Sequence, residues 1–382
     1  MADSRADIII IGAGIVGAAC ADELSASGFR VTIIERADIG SGATAAGMGH
    51  LVTMDDNPAE LALTHYSIQL WTQLVEGCAG QHEFSPCGTI WIAADQEEMD
   101  AARAKQAVLA AHGGSSELLN ADALYRLEPR LHPGLAGGLL VAADAVVYPP
   151  KSTRILLGRA CARGARLIHD EVVAIGKNAV SLASGATLAA GIVVVANGAG
   201  ALDLLPELPL RLKKGHVAIT DRYPGFIRHQ LVELGYIKSA HAASGESVAF
   251  NLQPRPTGQL LIGSSRQFDN VEPAVDVALM TRMLAHTIAY VPDVAGLHLL
   301  RCWTGFRVTS PDGLPLIGPH PARENVWLAT GHEGLGITTS LATAKLLAAQ
   351  INLHPAAIDI QPYLPSRFPQ LMADPQLIAA HS

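Results

Sequence analysis

The chain has 382 residues, 49% of them hydrophobic and only 16% charged, which is more than one hydrophobic core usually supports. Two domains, or one domain with a large insertion, are expected, and a disordered chain is excluded. With 27 basic and 35 acidic side chains, a net charge of −8 and no basic block, nucleic acid is not an expected partner.

Five cysteines stand at 20, 78, 87, 161 and 302 without a C-x-x-C pair, which suggests neither a disulfide framework nor a zinc or iron–sulfur site. A reducing cytoplasm is the expected compartment. The run ending at Cys20 imitates the apolar part of a signal peptide, but Asp3, Arg5 and Asp7 before it sum to negative charge, the wrong sign. No other apolar stretch reaches about 20 residues, so no membrane span is expected, and peripheral attachment through a partner stays open.

Residues 6–37, "ADIIIIGAGIVGAACADELSASGFRVTIIERA", open with a β-branched run at 8–11 and pass through Gly12, Gly14 and Gly17. A helix follows to about Leu24, then a second strand, Val31 to Ile34, ending in Glu35. An acid about 20 positions after the glycines completes a dinucleotide-binding pattern. Gly12 makes the turn, Gly14 lets backbone approach a pyrophosphate, and Gly17 lets helix pack on strand. The helix start offers unpaired N–H groups to phosphate, and Glu35 would accept from a ribose. The motif alone does not separate NAD from FAD. The small-residue stretch "GSGATAAGMGHL" at 40–51 points to FAD, because backbone must again lie close to something flat. A flexible loop is its plain alternative.

Further along, helical periodicity appears at 59–76, 96–112 and 153–163. "RLIHDEVVAI" at 166–175 reads as a strand, and "VVVANGAGA" at 193–201 as a buried strand ending in a glycine turn. "KKGH" at 213–216 reads as a turn with solvated lysines. Residues 246–265 alternate like paired strands around a turn at "RPTG". "ATGHEGLGITTS" at 329–340 reads as a strand end, a glycine-rich turn and a helix from about Ile337, whose start carries partial positive charge. The proline-rich end reads as an extended tail.

These motifs, with "GFRVTSPDGLPLIG" at 305–318, occur in an order and spacing that resemble the D-amino acid oxidase and glycine oxidase family of FAD enzymes. Within it, "SVAFNLQPRPTGQLLIGSSRQF" at 247–268 is similar to β subunits of heteromeric dye-linked dehydrogenases for D-hydroxyproline, opines, and glycine in hydrogen cyanide synthase. The resemblance implies an α/β fold: a Rossmann-like, glutathione reductase-type FAD domain with an inserted α+β substrate domain on a mixed sheet. The FAD domain is expected from 1–85, 146–208 and 306–365, the substrate domain from 86–145 and 209–305, and a tail from 366–382.

The resemblance also implies noncovalent FAD, held by Gly12, Ala13, Gly14, Ile15, Val16, Gly17, Glu35, Arg36, Ser41, Gly42, Thr44, Ala45, Ala46, Gly47 and Met48, by the backbone of Val172, and by Asn197 and Gly198. The late turn adds Gly331, His332, Glu333, Gly334, Leu335, Gly336, Ile337 and Thr338. An FMN between subunits is compatible with the heteromeric relatives. The expected partner is an α subunit with an iron–sulfur centre, and the expected substrate a small amino or imino acid.

In the matching motif Arg307 clamps the substrate carboxylate, a task for which a planar fork of fixed donors is better suited than an ammonium. The alternative is a structural ion pair. Val308 departs from the family's usual proline. His50 and His332 are candidate catalytic groups, each with a structural alternative, and Glu333 is either a tuning acid or a helix-dipole partner. Asn251 replaces a substrate-side tyrosine, which suits the dehydrogenase branch. The site of covalent flavin attachment in some sarcosine oxidases falls on Gly305, while Cys302 reads as a packed thiol.

Overall fold

The β-branched run Ala6–Ile11 is the centre of a mostly parallel sheet, buried on both faces, with Ile8, Ile9 and Ile10 fully inaccessible. The computed structural model describes residues 6–54, 57–235 and 246–372. In this sheet the order is Leu316–Pro319, Val326–Thr330, Thr187–Val195, Ala6–Ile11, Val31–Glu35, Arg166–His169, antiparallel only in the first pair. Helices Ile15–Ala26, Pro58–Val75, Pro149–Ala162 and Gly336–Ile351 supply the apolar layer on one face.

A second, eight-stranded sheet runs Leu299–Thr309, Arg211–Thr220, Leu260–Phe268, Ser247–Pro254, Gln230–Glu233, Thr89–Ala93, Gly137–Val141, Glu117–Asn120. Its one parallel pair, Gln230–Glu233 beside Thr89–Ala93, joins two distant pieces of chain and makes the sheet mixed. Phe250, Leu252 and Ile262 pack with Met283 of helix Val277–Tyr290 in one apolar core, and Asp276 caps that helix by accepting from Leu279 N–H at 3.0 Å. The edge strand Leu299–Thr309 crosses the expected border at 305/306 without a break.

Helices occur where the periodicity places them, at Pro58–Val75, Gln96–Ala111 and Pro149–Ala162. Asn57 and Asp95 start the first two by accepting from Glu60 and Glu98 N–H, at 2.8 and 2.9 Å. Prolines open the third, where no intrahelical N–H is required.

Three expectations change. The stretch 166–175 is two strands, because Asp170 N–H turns to the Glu35 carbonyl at 3.0 Å and Glu171 pairs with Arg36 at 2.8 Å. Only Arg166–His169 continues the parallel sheet; Val172–Gly176 starts an antiparallel ribbon with Ala179–Leu182. "KKGH" is not a turn but lies inside the strand Arg211–Thr220. The end of the described chain is not extended either: 361–372 coils into three short turns against the first sheet. Tyr363 is buried with its hydroxyl on the Ala59 carbonyl at 2.6 Å, and Arg367 grips Asp312 through two nitrogens at 2.7 and 3.0 Å. The tail expected beyond Met372 lies outside the described residues.

Candidate functional site

At the glycine turn the backbone leaves no alternative residue. Gly12 has φ 101°, and a Cβ there would stand 2.7 Å from Asn197 Cα; a Cβ on Gly17 would overlap the Gly12 carbonyl oxygen. Gly14 is less constrained by packing, since its Cβ would meet only Thr44 Oγ1 at 3.3 Å. Thr44 accepts from Ile15 N–H at 3.0 Å, tying the small-residue stretch to the helix start. Glu35 accepts from Ala13 N–H at 2.6 Å and Ala37 N–H at 2.8 Å, so its carboxylate stands at the mouth of the turn. Nearby, Arg36 engages Glu171, Val172 is buried at the start of its strand, and Asn197 and Gly198 lead into a single 3-10 turn.

Residues 40–51 form a wedge between the two sheets instead of a free loop. Ser41 and Gly42 lead into one helical turn, Ala43–Ala46, including Thr44 and Ala45. Trp303 Nε1 donates to the Ala46 carbonyl at 3.1 Å, and Gln253 Nε2 to the Met48 carbonyl at 2.6 Å, so the second sheet holds the wedge by its backbone. A Cβ on Gly47 would come within 2.8 Å of Ile337, and one on Gly263 within 2.7 Å of the Met48 sulfur. A Cβ on Gly305 would overlap that of Ala46. Gly305→Ala should therefore push the edge strand off the wedge, costing about 1–3 kcal/mol and lowering the FAD content of purified protein. Thermal unfolding and flavin absorbance per chain measure both effects.

From the other side comes the late turn. Strand Val326–Thr330 ends at Gly331, φ 80°; Glu333 also takes a left-handed φ, 53°, and the helix begins at Gly336. Glu333 N–H donates to the Val308 carbonyl at 3.0 Å, and Thr309 bridges to His332, which stitches this turn to the strand carrying Arg307. Thr338 Oγ1 donates to the His50 carbonyl at 2.9 Å, and Trp71 Nε1 donates to the carbonyls of Ile337 and Thr338. Gly334 and Leu335 complete the turn, with Leu335 N–H on the His332 carbonyl. The glycine turn, the wedge, the late helix start and the second sheet thus meet in one region.

Both candidate histidines are uncharged at neutral pH, because burial lowers each ring to about 4. His332 shares a hydrogen bond of 3.0 Å between Nε2 and Thr343 Oγ1, which ties its ring to the late helix. His50 lies beside Asn251, and its Nε2, like Asn251 Oδ1 and Asn197 Oδ1, is buried without a hydrogen-bond partner among the described residues. Cys302 is half-buried and its thiol is raised by burial, in keeping with a packed role.

Arg307 stands directly opposite Lys213 on the neighbouring antiparallel strand. Gly215 and Gly334 flank its guanidinium; Nη2 reaches the Ser265 carbonyl at 3.4 Å, and Nε lies 3.5 Å from Glu333 Oε1. Lys213 Nζ is 2.9 Å from the same oxygen. Burial would raise the Glu333 carboxyl, but Arg307, Lys213 and Arg266 together hold it at about 2, so it is an anion at neutral pH. The lysines expected in solvent are buried: Lys213 is 8% exposed, and Lys214, 1% exposed, donates to the Ala274 carbonyl at 2.7 Å. Sequence reasoning missed Lys213 as a site residue. Its signal was the alternation of Lys213, Gly215 and Val217, which places all three on one face of a strand.

A family model described as FAD dependent oxidoreductase matches residues 7–350. The chain belongs to that family. Glycine oxidase of Geobacillus kaustophilus is 28% identical over 94% of this chain and 96% of its own, and a crystal structure of that species' glycine oxidase superposes with a TM-score of 0.85, covering 96% and 100% of the two chains at 27% identity. A hydrogen cyanide synthase subunit of Pseudomonas aeruginosa is 24% identical over 95% of this chain and 96% of its own. L-proline dehydrogenase of P. horikoshii shares the fold, with TM-score 0.86 at 22% identity over 96% and 98% of the chains.

This FAD-dependent oxidoreductase therefore has the α/β fold of its family, with one mostly parallel and one mixed sheet. Its residues fit the cofactor. The Gly12–Gly17 turn is built for close backbone approach, Glu35 is fixed beside it, and buried unpartnered atoms of Asn197 and His50 line the same region. Among the described residues no helix is long and apolar enough to cross a membrane, and no His, Cys, Asp and Glu cluster could hold a metal.

Proposed function

We propose that this enzyme oxidises the CH–NH bond of a small amino or imino acid, D-hydroxyproline or D-proline in type, as the catalytic β subunit of a heteromeric dehydrogenase. The observation that carries the reading is Arg307. Its guanidinium projects from the second sheet beside the late turn and close to the wedge, in a lane walled by two glycines. There it binds the substrate carboxylate by a two-pronged ion pair and turns the α-carbon toward the cofactor. FAD, when bound, would supply the acceptor for one hydride, that is, two electrons with one proton.

The neutral rings of His50 and His332 take no proton in this reaction; a neutral amine provides its own lone pair. The start of helix Gly336–Ile351 carries partial positive charge, which would favour a bound cofactor as it gains negative charge. Asn251 leaves the pocket wall without a phenol at the family's tyrosine position. Support for an amino or imino acid also comes from the names of the relatives, glycine oxidase and L-proline dehydrogenase. Support for a subunit role comes from the hydrogen cyanide synthase subunit, which matches over nearly its full length. In the proposed assembly electrons leave for an iron–sulfur centre on the α subunit, with an FMN at the interface as a further element, and the enzyme works in the cytoplasm.

The similarity to glycine oxidase favours a second reading, an oxidase that hands electrons directly to O₂. The test is anaerobic addition of D-proline, D-hydroxyproline, glycine, sarcosine and an opine to the FAD-loaded chain. Bleaching by an imino acid without hydrogen peroxide on later aeration supports the dehydrogenase. Rapid peroxide formation by the chain alone supports the oxidase. No bleaching by any carboxylated amine, with dithionite still effective, reduces the protein to a flavin-binding subunit of an assembly.

A further inference from the structure

A turn rich in glycine places a glutamate at one of its left-handed positions: Glu333 has φ 53°, a conformation that favours glycine. Its carboxylate has both oxygens occupied. Oε2 accepts from Gly334 N–H, within its own turn, and Oε1 faces Lys213 Nζ at 2.9 Å and Arg307 Nε at 3.5 Å. Lys213 and Arg307 are cross-strand neighbours, and without an anion between them a buried and a half-buried cation would repel at short range. The Nε edge of the guanidinium thus faces Glu333 as an ion pair, its Nε–H making no hydrogen bond among the described residues, while Nη2 rests on the Ser265 carbonyl at 3.4 Å. Nη1 and the second N–H of Nη2 are left for a ligand.

We propose that Glu333 is a positioning residue for the substrate carboxylate: it ties Lys213 to the Nε edge of Arg307, so that the guanidinium presents its terminal nitrogens to the site with an ammonium alongside. This rests on the reading of Arg307 as the carboxylate clamp. It separates the roles of the three side chains. Arg307 touches the substrate, Lys213 reinforces the cationic seat, and Glu333 orients both without accepting a proton itself.

The tie has a signature that a purely structural turn residue lacks. Lys213 is pulled toward neutrality by burial and by Arg266 and Arg307, and Glu333 opposes that pull. Removing the Glu333 charge lowers the Lys213 ammonium further, so cationic character is lost as pH rises through a lower value than in the wild type. The experiment uses the FAD-loaded full chain and 2-furoate, a ring carboxylate without an oxidisable amine, followed by the absorption change of bound FAD from about pH 6 to about pH 10. In Glu333→Gln the dissociation constant at about pH 7 should rise at least about tenfold, and the alkaline loss of binding should begin about one pH unit or more lower. Glu333→Asp should recover part of both changes.

Furoate binding with unchanged affinity and unchanged pH dependence in Glu333→Gln overturns the proposal. Should that variant not retain FAD, Lys213→Met carries the test from the other end of the tie: weaker furoate binding without an alkaline fall-off supports it, and wild-type behaviour overturns it. A wild-type chain that binds furoate but is bleached by no amino or imino acid removes the proposed function while leaving these arms readable.

Discussion

Arg307→Met should raise the apparent substrate constant by roughly a hundredfold or more while the protein keeps its FAD. Methionine keeps much of the apolar stem but removes every donor of the fork that lies between Gly215 and Gly334. The loss exceeds that of an ordinary hydrogen bond, because the substrate carboxylate would enter a partly buried site with Lys213 as the nearby cation, and Lys213 already serves Glu333. Arg307→Lys should recover little, since a single ammonium cannot fix the plane of a carboxylate. FAD is retained because the groups that fit it are carried by the first sheet and the wedge. Steady-state kinetics together with flavin absorbance per chain check both halves, and an unchanged substrate constant in a flavin-replete variant would remove the clamp.

The second large effect is expected at Gly17. A methyl group there would overlap the Gly12 carbonyl oxygen, and Gly12 cannot retreat, because it is itself pressed against the backbone of Ala196 and Asn197. Helix Ile15–Ala26 must therefore lift from the central strand of the first sheet. Gly17→Ala should cost more than about 4 kcal/mol and give protein that is insoluble or free of FAD. Gly14→Ala is the informative contrast: its nearest neighbour would be Thr44 Oγ1 at 3.3 Å, so the chain should fold and show its defect in FAD affinity. Denaturant unfolding of the two variants in the absence of added FAD separates them. Equal stability would show that close helix–strand packing is not what this glycine provides.

Glycine spacing and the 3.6 period made the nucleotide turn and the three early helices legible, because each is written in contiguous residues, whereas the mixed second sheet was expected from the family resemblance. The elements misread are those whose partners are remote. Residues 166–175 look like one strand until Asp170 N–H meets the Glu35 carbonyl and Glu171 meets Arg36. Residues 361–372 look like an extended tail until Asp312 offers Arg367 a carboxylate. Adjacent lysines look like a solvated turn until the strand around them is seen to be buried in the sheet and one of them faces Glu333.

By itself, the amino-acid sequence determined the strand–turn–helix at residues 6–37, since the glycine spacing between two apolar runs is a property of residue type and order, while the candidacy of Arg307 came from the resemblance of its motif to a known family. The tertiary structure alone decided that His50 and His332 are neutral, that Glu333 is an anion, and that Lys213 belongs beside Arg307. Charge state in a folded protein depends on burial and on neighbours brought together across the chain: 120 residues separate Lys213 from Glu333. No local pattern encodes that distance.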